Sequence, residues 1–424
     1  MQELDSRHLS LAQFVQPGDA IIWGQSCAEP QTLTEALVAQ RSDFPGISVF
    51  FGAVFSNTFQ PEHADAIRFR SIGAIGLRRL AKAGKLEIHP VHVSRIASLI
   101  DEGSLACDVA FVQLSPPGED GNHSLGLAAD YVRSAMRRAR VVVAEINANV
   151  PWVPCAEPVR AEEIDYFVRS DRPLLQVPPA EPCEVETRIA SHVQGFIPDR
   201  ATVQMGIGGV PEAVMMTLRD RRDLGVHSGM IGDSYVDLLE SGAITNAYKE
   251  HLPGVSVAGV LIGTDRLYRS VHGCKDLRLY DTATTHAPQV LAKLSRLVTI
   301  NSALEVDLTG QVNAEAAGDN YLGAVGGQVD YVRAGSWSPG GRSIIALGSR
   351  ASAGRSKIVS RLNGPVTTAR SDVDLVATEF GVAELRGASL QQRVRTIIEI
   401  AAPEFREQLE REAHSLLRSG ASAS

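Results

Sequence analysis

An α/β fold in two open lobes is the expectation for this chain, and three observations carry it. Short Val- and Ile-rich runs recur along its 424 residues, segments of helical spacing lie between several of them, and Pro173, Pro178, Pro179 and Pro182 cluster before a new amphipathic segment. Alternating strands and helices favour covered sheets, and a proline cluster marks a connection between lobes. In chain order, the apolar runs 20–23, 48–51, 108–114 and 141–146 read as strands, with helical spacing at 33–40 and 78–83. The boundary falls near residue 185, dividing the chain into 1–185 and 186–424. The second lobe opens on the amphipathic segment 184–194. Apolar runs at 201–205, 255–262 and 343–347 then read as strands, and 389–401 and 402–417 as closing helices, the last dense in Glu and Arg.

Composition excludes several classes of function. Apolar residues at 44% and charged residues at 21% suit a globular chain with a sizeable core. A net charge of −8, with no basic cluster interleaved with aromatics, argues against nucleic acid as the main partner. The first residues show no basic region followed by an apolar run, and no stretch approaches a membrane span, so a cytoplasmic enzyme without a membrane partner is expected. Cys27, Cys107, Cys155, Cys183 and Cys274 are scattered and form no Cys-x-x-Cys pair. Neither a disulfide framework nor a metal site is expected.

Chemistry concentrates at a few polar or glycine-rich stretches. Gly206-Ile207-Gly208-Gly209-Val210-Pro211 runs from an apolar strand into a helix whose first turn suits the proline. Such a turn offers backbone N–H groups at a positive helix end, where a phosphate, pantetheine or thioester oxygen can approach glycine closely. About twenty residues on stands His227-Ser228-Gly229-Met230-Ile231-Gly232-Asp233, whose centre has no reactive side chain. Between Asn301 and Asn313, Glu305 and Asp307 share a strand face and read either as an acid–base pair or as carboxylates holding a turn through Thr309 and Gln311. The turn Gly323 to Asp330 could present Gly327 N–H as an oxyanion donor. In the first lobe, His123 and Glu145 lie at strand ends, where ligands of open α/β sheets bind. No Gly-x-Ser-x-Gly elbow and no Gly-x-Gly-x-x-Gly turn occurs, so serine hydrolase and dinucleotide readings have little support.

Together, Gly206 to Pro211, Asp223 to His227, Asn301 to Asn313, Gly323 to Asp330 and Val366 to Val373 resemble the acetyl-CoA hydrolase/transferase family. Leu385-Arg386-Gly387 and Ala402 to Arg406 make the likeness strongest to its 4-hydroxybutyrate and butyryl-type CoA-transferases, and Glu29-Pro30, Ser115-Pro116-Pro117 and Glu145-Ile146-Asn147 extend it through the first lobe. The resemblance implies two related open α/β domains of the CoA-transferase type, with the active site between them and commonly a homodimer. It also implies that Gly206, Ile207, Gly208, Gly209 and Val210 contact coenzyme A, which enters as part of the substrate with no tightly bound cofactor. In the family a glutamate after this turn attacks the acyl-CoA and passes through a glutamyl-CoA thioester. Here Gly229 stands in its place while His227, Met230 and Asp233 still match. A family lysine after the strand at 343–347 is also missing, and Arg350 or Arg355 could take its phosphate contact.

Three functions are compatible with that pattern. The first is an enzyme that transforms an acyl-CoA without a glutamyl-CoA intermediate, by thioester hydrolysis or by carbon–carbon cleavage of a CoA-linked oxo-acid. In it, water would fill the space at Gly229 near the N–H groups of Val210 and Gly327, with Asp233, Glu305 or Glu145 as base. The second is a CoA-transferase, with a small carboxylate as acceptor, whose nucleophile is relocated to Glu305 or Glu145. The third is a non-catalytic CoA-binding subunit or sensor.

Overall fold

In the computed structural model, which describes residues 1–351 and 354–418, the first lobe is built on one parallel sheet of eight strands. Across the sheet they run Gln2–Glu3, Tyr166–Ser170, Val141–Asn147, Val109–Leu114, Ala20–Trp23, Ile47–Phe51, Ile67–Ser71 and Leu86–Ile88. Alternate residues serve opposite faces: Ile21, Trp23, Val109 and Phe111 enter one core, Ile22, Ala110 and Val112 the other. Helices Gln31–Ala39 and Arg78–Lys82 close the first of these through Leu33, Leu37 and Leu80, and Val93–Asp101 and Val132–Arg138 close the second through Ile96, Ile100, Val132 and Ala135. With both faces covered, the central strand Val109–Leu114 is buried at every position.

The second lobe carries a six-stranded sheet in the order Gly225–Val226, Thr202–Gln204, Leu297–Ser302, Arg342–Ala346, Leu375–Thr378, Gly381–Glu384, parallel except for its last pair. Helix Glu184–Val193 starts at the expected boundary and packs on Gly209–Met216 and on Leu375–Thr378. The run expected as one strand at 255–262 is two. Ser256–Ala258 pairs with Leu277–Leu279 and Val260–Leu261 with Met230–Ile231. Gly259 makes the break, because a Cβ there would stand 2.9 Å from the Gly229 carbonyl oxygen.

The lobes are not separately cored. Ile189, Val203, Val214, Leu261 and Ile300 belong to the same apolar cluster as Ile22 and Ile96. Polar ties reinforce it: Ser94 donates from its backbone N–H (3.1 Å) and hydroxyl (2.8 Å) to Asp330, and Val93 N–H donates to the Gly326 carbonyl at 3.0 Å. Among the described residues no helix is long and apolar enough to cross a membrane, and no group of three metal-ligating side chains gathers.

His227 is fully buried at the end of the edge strand Gly225–Val226 of the second sheet. Its Nε2–H donates to the Thr284 carbonyl at 2.9 Å, while Lys249 Nζ nearby donates to the carbonyls of Val226 (2.9 Å) and Val255 (2.5 Å). Burial, helped by the charge of Lys249, pushes the imidazole down to about 3. An unfolded histidine takes up its proton near 6.5, so the folded state loses stability as pH falls below that value, and the loss continues towards pH 3. His227→Gln keeps a donor but cannot titrate. Its unfolding free energy should therefore fall less than that of the wild type between pH 8 and pH 5, by about 2 kcal/mol in urea titrations; parallel curves would contradict the neutral buried histidine.

Candidate active site

The winding of each sheet reverses once, between Ala20–Trp23 and Val109–Leu114 in the first lobe and between Thr202–Gln204 and Leu297–Ser302 in the second. Open α/β sheets bind ligands at the carboxyl ends flanking such reversals. Here the two meet at a shared cavity of about 280 Å³. Gln25, Ser26, Gly52 and Gly73 reach it from the loops after first-lobe strands; Gly206, Ile207, Asn301 and the turn Gly323 to Gly327 reach it from the second lobe. The turn at 323–327 sits against the first lobe, since Ala74 N–H donates to the Gly323 carbonyl at 2.9 Å.

Gly229 is in the wall of this cavity, but the space beside it is not empty. The imidazole of His286 fills it: a Cβ built at Gly229 would overlap the His286 ring, lying 2.5 Å from Nε2, and one built at Gly327 would lie 2.6 Å from both Cδ2 and Nε2. Real Cβ atoms do not approach other atoms so closely, so the ring can occupy this position only because both residues are glycine. Water near Gly229 therefore cannot take the vacated nucleophile space expected from the sequence. The ring is carried at the end of the short helix Thr282–Thr285, which is clamped from three sides. His227 holds the Thr284 carbonyl, Tyr331 donates its hydroxyl to the Thr285 carbonyl at 2.6 Å, and Asp281 caps the start through Thr284 N–H. Tyr331 also packs on the imidazole with ring centroids 4.9 Å apart.

The cavity is also lined by Asp130, a buried acid whose backbone carbonyl accepts from Thr282 N–H at the start of the helix that carries His286. Asp130 receives hydrogen bonds from Gln25 Nε2 (2.5 Å) and from Tyr131 N–H (2.7 Å), and burial pushes it up to about 7. Gln25 is oriented in turn by Ala53 N–H, which donates to its Oε1 at 3.1 Å.

The glycine turn divides between two environments. Gly206 and Ile207 face the cavity; Gly208, at a φ of +105° that suits glycine, caps helix Gly209–Met216, with Pro211 in its first turn as the sequence suggests. Val210 is buried in that turn and does not line the cavity. A side chain at Gly209 would overlap the Glu186 carboxylate, so the positive helix start already faces an acidic group of the protein.

The carboxylates singled out from the sequence are brought together neither with one another nor with His286. Glu145 accepts from Thr32 N–H (2.8 Å), Thr32 Oγ1 (2.8 Å) and Ser170 Oγ (2.7 Å), anchoring helix Gln31–Ala39 to its strand. Asp233 accepts from Thr264 N–H (3.0 Å), Thr264 Oγ1 (3.0 Å) and Leu267 N–H (3.1 Å), which caps helix Asp265–Val271. Asp307 holds the turn to Thr309 and Gln311 through four hydrogen bonds, while Glu305 lies half-buried on the same short strand. His123 is buried, with Nδ1 2.8 Å from the Ser115 carbonyl oxygen. Arg350 is engaged by Glu404 (2.6 and 2.8 Å) and Glu379 (3.3 Å); Arg355 is exposed; Ser352 and Ala353 between them lie outside the described residues. His286 and Asp130 escape sequence reasoning, because neither sits in a spaced motif and each reaches the cavity through the tertiary fold.

The N-terminal domain of the acetyl-CoA hydrolase/transferase family matches residues 6–178, and its C-terminal domain residues 263–413. The chain is 35% identical to the 4-hydroxybutyrate coenzyme A transferase of Clostridium kluyveri over 92% of each, and 30% identical to the butyryl-CoA:acetate CoA-transferase of Anaerostipes caccae over 95% of this chain and 94% of that one. RipA from Yersinia pestis superposes with a TM-score of 0.92 at 30% identity, covering 98% of this chain and 97% of that chain. The 4-hydroxybutyrate CoA-transferase of Porphyromonas gingivalis gives 0.84 at 31% identity, with the same coverage. The chain therefore belongs to the acetyl-CoA hydrolase/transferase family, whose members act on CoA thioesters.

Proposed function

We propose that this protein hydrolyses a short-chain acyl-CoA in the cavity between its lobes, with no glutamyl-CoA intermediate. The observation that carries the reading is the His286 ring lodged between Gly229 and Gly327. Covalent transfer needs a carboxylate at the thioester carbon, and residue 229 offers neither a side chain nor room for one. Glu145 and Asp233 are each saturated by three hydrogen bonds and are placed as helix anchors. A cavity of about 280 Å³ admits a small acyl group and its thioester, leaving the nucleotide outside. Gly206 and Ile207 offer neutral backbone to the pantetheine, which suits a helix start already facing Glu186. In this reading Gly327, which lines the cavity, supplies the N–H for the oxyanion of the tetrahedral intermediate. The homodimer and the cytoplasmic location belong to the same proposal. Transfer through Glu305 is the second reading, because that carboxylate is not committed to a cap and its neighbours Asn301 and Ser302 line the cavity.

Free thiol should appear from acetyl-, propionyl- or butyryl-CoA without any acceptor, and acetate should not accelerate it. Acetate-dependent exchange with a glutamate trapped by borohydride or hydroxylamine would instead establish transfer. Glu145→Gln and Asp233→Asn should cost about 1–3 kcal/mol in thermal or urea unfolding yet keep kcat within about threefold. Glu305→Gln tests the second reading directly: loss of turnover there, with the fold intact, favours a relocated nucleophile. Gly229→Glu alone should gain no CoA exchange and should lose about 1–3 kcal/mol of stability, since its side chain meets the imidazole. Adding His286→Gly to it frees the space, and acetate-dependent exchange should then appear.

A further inference from the structure

We infer that His286 is the general base of the reaction, its Nε2 lone pair taking a proton from the water that attacks the thioester carbonyl. This rests on the hydrolytic reading and supplies a base at the cavity, whereas Glu145 and Asp233 are each held by three hydrogen bonds at helix starts.

The hydrogen-bond chain behind the ring determines its tautomer. Thr285 Oγ1 lies 3.0 Å from the Asp281 carbonyl oxygen and 2.9 Å from His286 Nδ1, and we assign its single proton to the carbonyl, the i−4 hydrogen bond of a helical threonine, so that it accepts from Nδ1–H. Nδ1 therefore carries the hydrogen and Nε2 carries the lone pair. Nε2 lies 2.5 Å and 2.6 Å from where side chains at Gly229 and Gly327 would begin, His286 lines the cavity, and Nε2 makes no hydrogen bond to any group among the described residues. Nε2 is not among the side-chain atoms sealed from solvent without a partner, so this acceptor is accessible to a water or a substrate atom. Burial keeps the ring neutral at physiological pH, the state a base needs. The clamp on the Thr284 and Thr285 carbonyls and the packing of Tyr331 hold the ring in one orientation. A base held in this way loses little freedom on reaching the transition state.

The step balances without a further reactant. The water O–H bond breaks towards Nε2, the new C–O bond forms, and the carbonyl π electrons move to oxygen beside the Gly327 N–H. The imidazolium and the oxyanion then form an ion pair inside the cavity, each offsetting the other's desolvation. Collapse restores the C=O bond and breaks the C–S bond; the departing thiolate takes the proton from Nε2, leaving CoA thiol, a carboxylic acid and the original neutral ring.

The test is thiol release from acetyl-CoA by the wild type, His286→Ala and His286→Gln, with imidazole added to the alanine variant. General-base removal should lower kcat at least about 100-fold with KM changed by less than about threefold, and imidazole should restore part of the rate in His286→Ala but not in His286→Gln, whose side chain fills the space. Diethyl pyrocarbonate, which acylates unprotonated imidazole, should modify His286 in the wild type, and free CoA should block the modification as mapped by mass spectrometry. A wild type that releases thiol while both variants keep rates within threefold overturns the base and leaves hydrolysis standing. A wild type that releases no thiol overturns hydrolysis and the base with it. If both variants fail to fold, the carbethoxylation pattern decides: an unreactive His286, or reactivity indifferent to CoA, refutes the assignment.

Discussion

One ring and two glycines cannot be varied independently in this protein. The imidazole of His286 lies where side chains at 229 or 327 would emerge, so each of the three residues dictates the others. Everything else at the site follows from holding that ring still: Asp281 starts the short helix that carries it, His227 and Tyr331 take the helix's last carbonyls, and Gly259 brings Val260–Leu261 alongside the strand that begins just after Gly229. Tight packing turns a chemical change at one position into a geometric demand at two others.

Two largely parallel sheets bring this ring and a buried carboxyl group to one cavity. Each sheet reverses its winding once, and the carboxyl ends beside both reversals open into one cavity. His286 and Asp130 therefore face a common space from different lobes, one neutral because burial disfavours the cation and the other partly protonated because burial disfavours the anion. Titratable groups moved by their surroundings and gathered in one cleft are common at reactive sites, and burial alone moves both of these.

Much of this architecture was legible in the chain. Strands such as Ala20–Trp23 and Val109–Leu114 announce themselves because burial on both faces demands unbroken apolar runs, and helix Gly209–Met216 follows from glycines leading into Pro211. Gly229 stood out in the sequence only through the resemblance. The ring that fills the space beside it did not. His286 is distant in the chain, follows no spacing rule, and comes to Gly229 only through the register of several strands and a four-residue helix. Asp233 and Glu145 are ambiguous in sequence for a related reason: a carboxylate at a strand end looks alike whether it meets substrate or caps a helix, and their bonds from Thr264, Leu267 and Thr32 N–H emerge only in the fold.

The apolar cluster that runs from Ile22 and Ile96 through Ile189 to Ile300 also governs how the molecule can move. Swinging the lobes apart as rigid bodies would expose that continuous surface to water and break the ties from Ser94 and Val93 to the second lobe. A hinge of that kind is energetically closed. Access to the cavity is left to the loops that line it, among them residues 206–207 and the turn 323–327, rather than to a separation of the lobes.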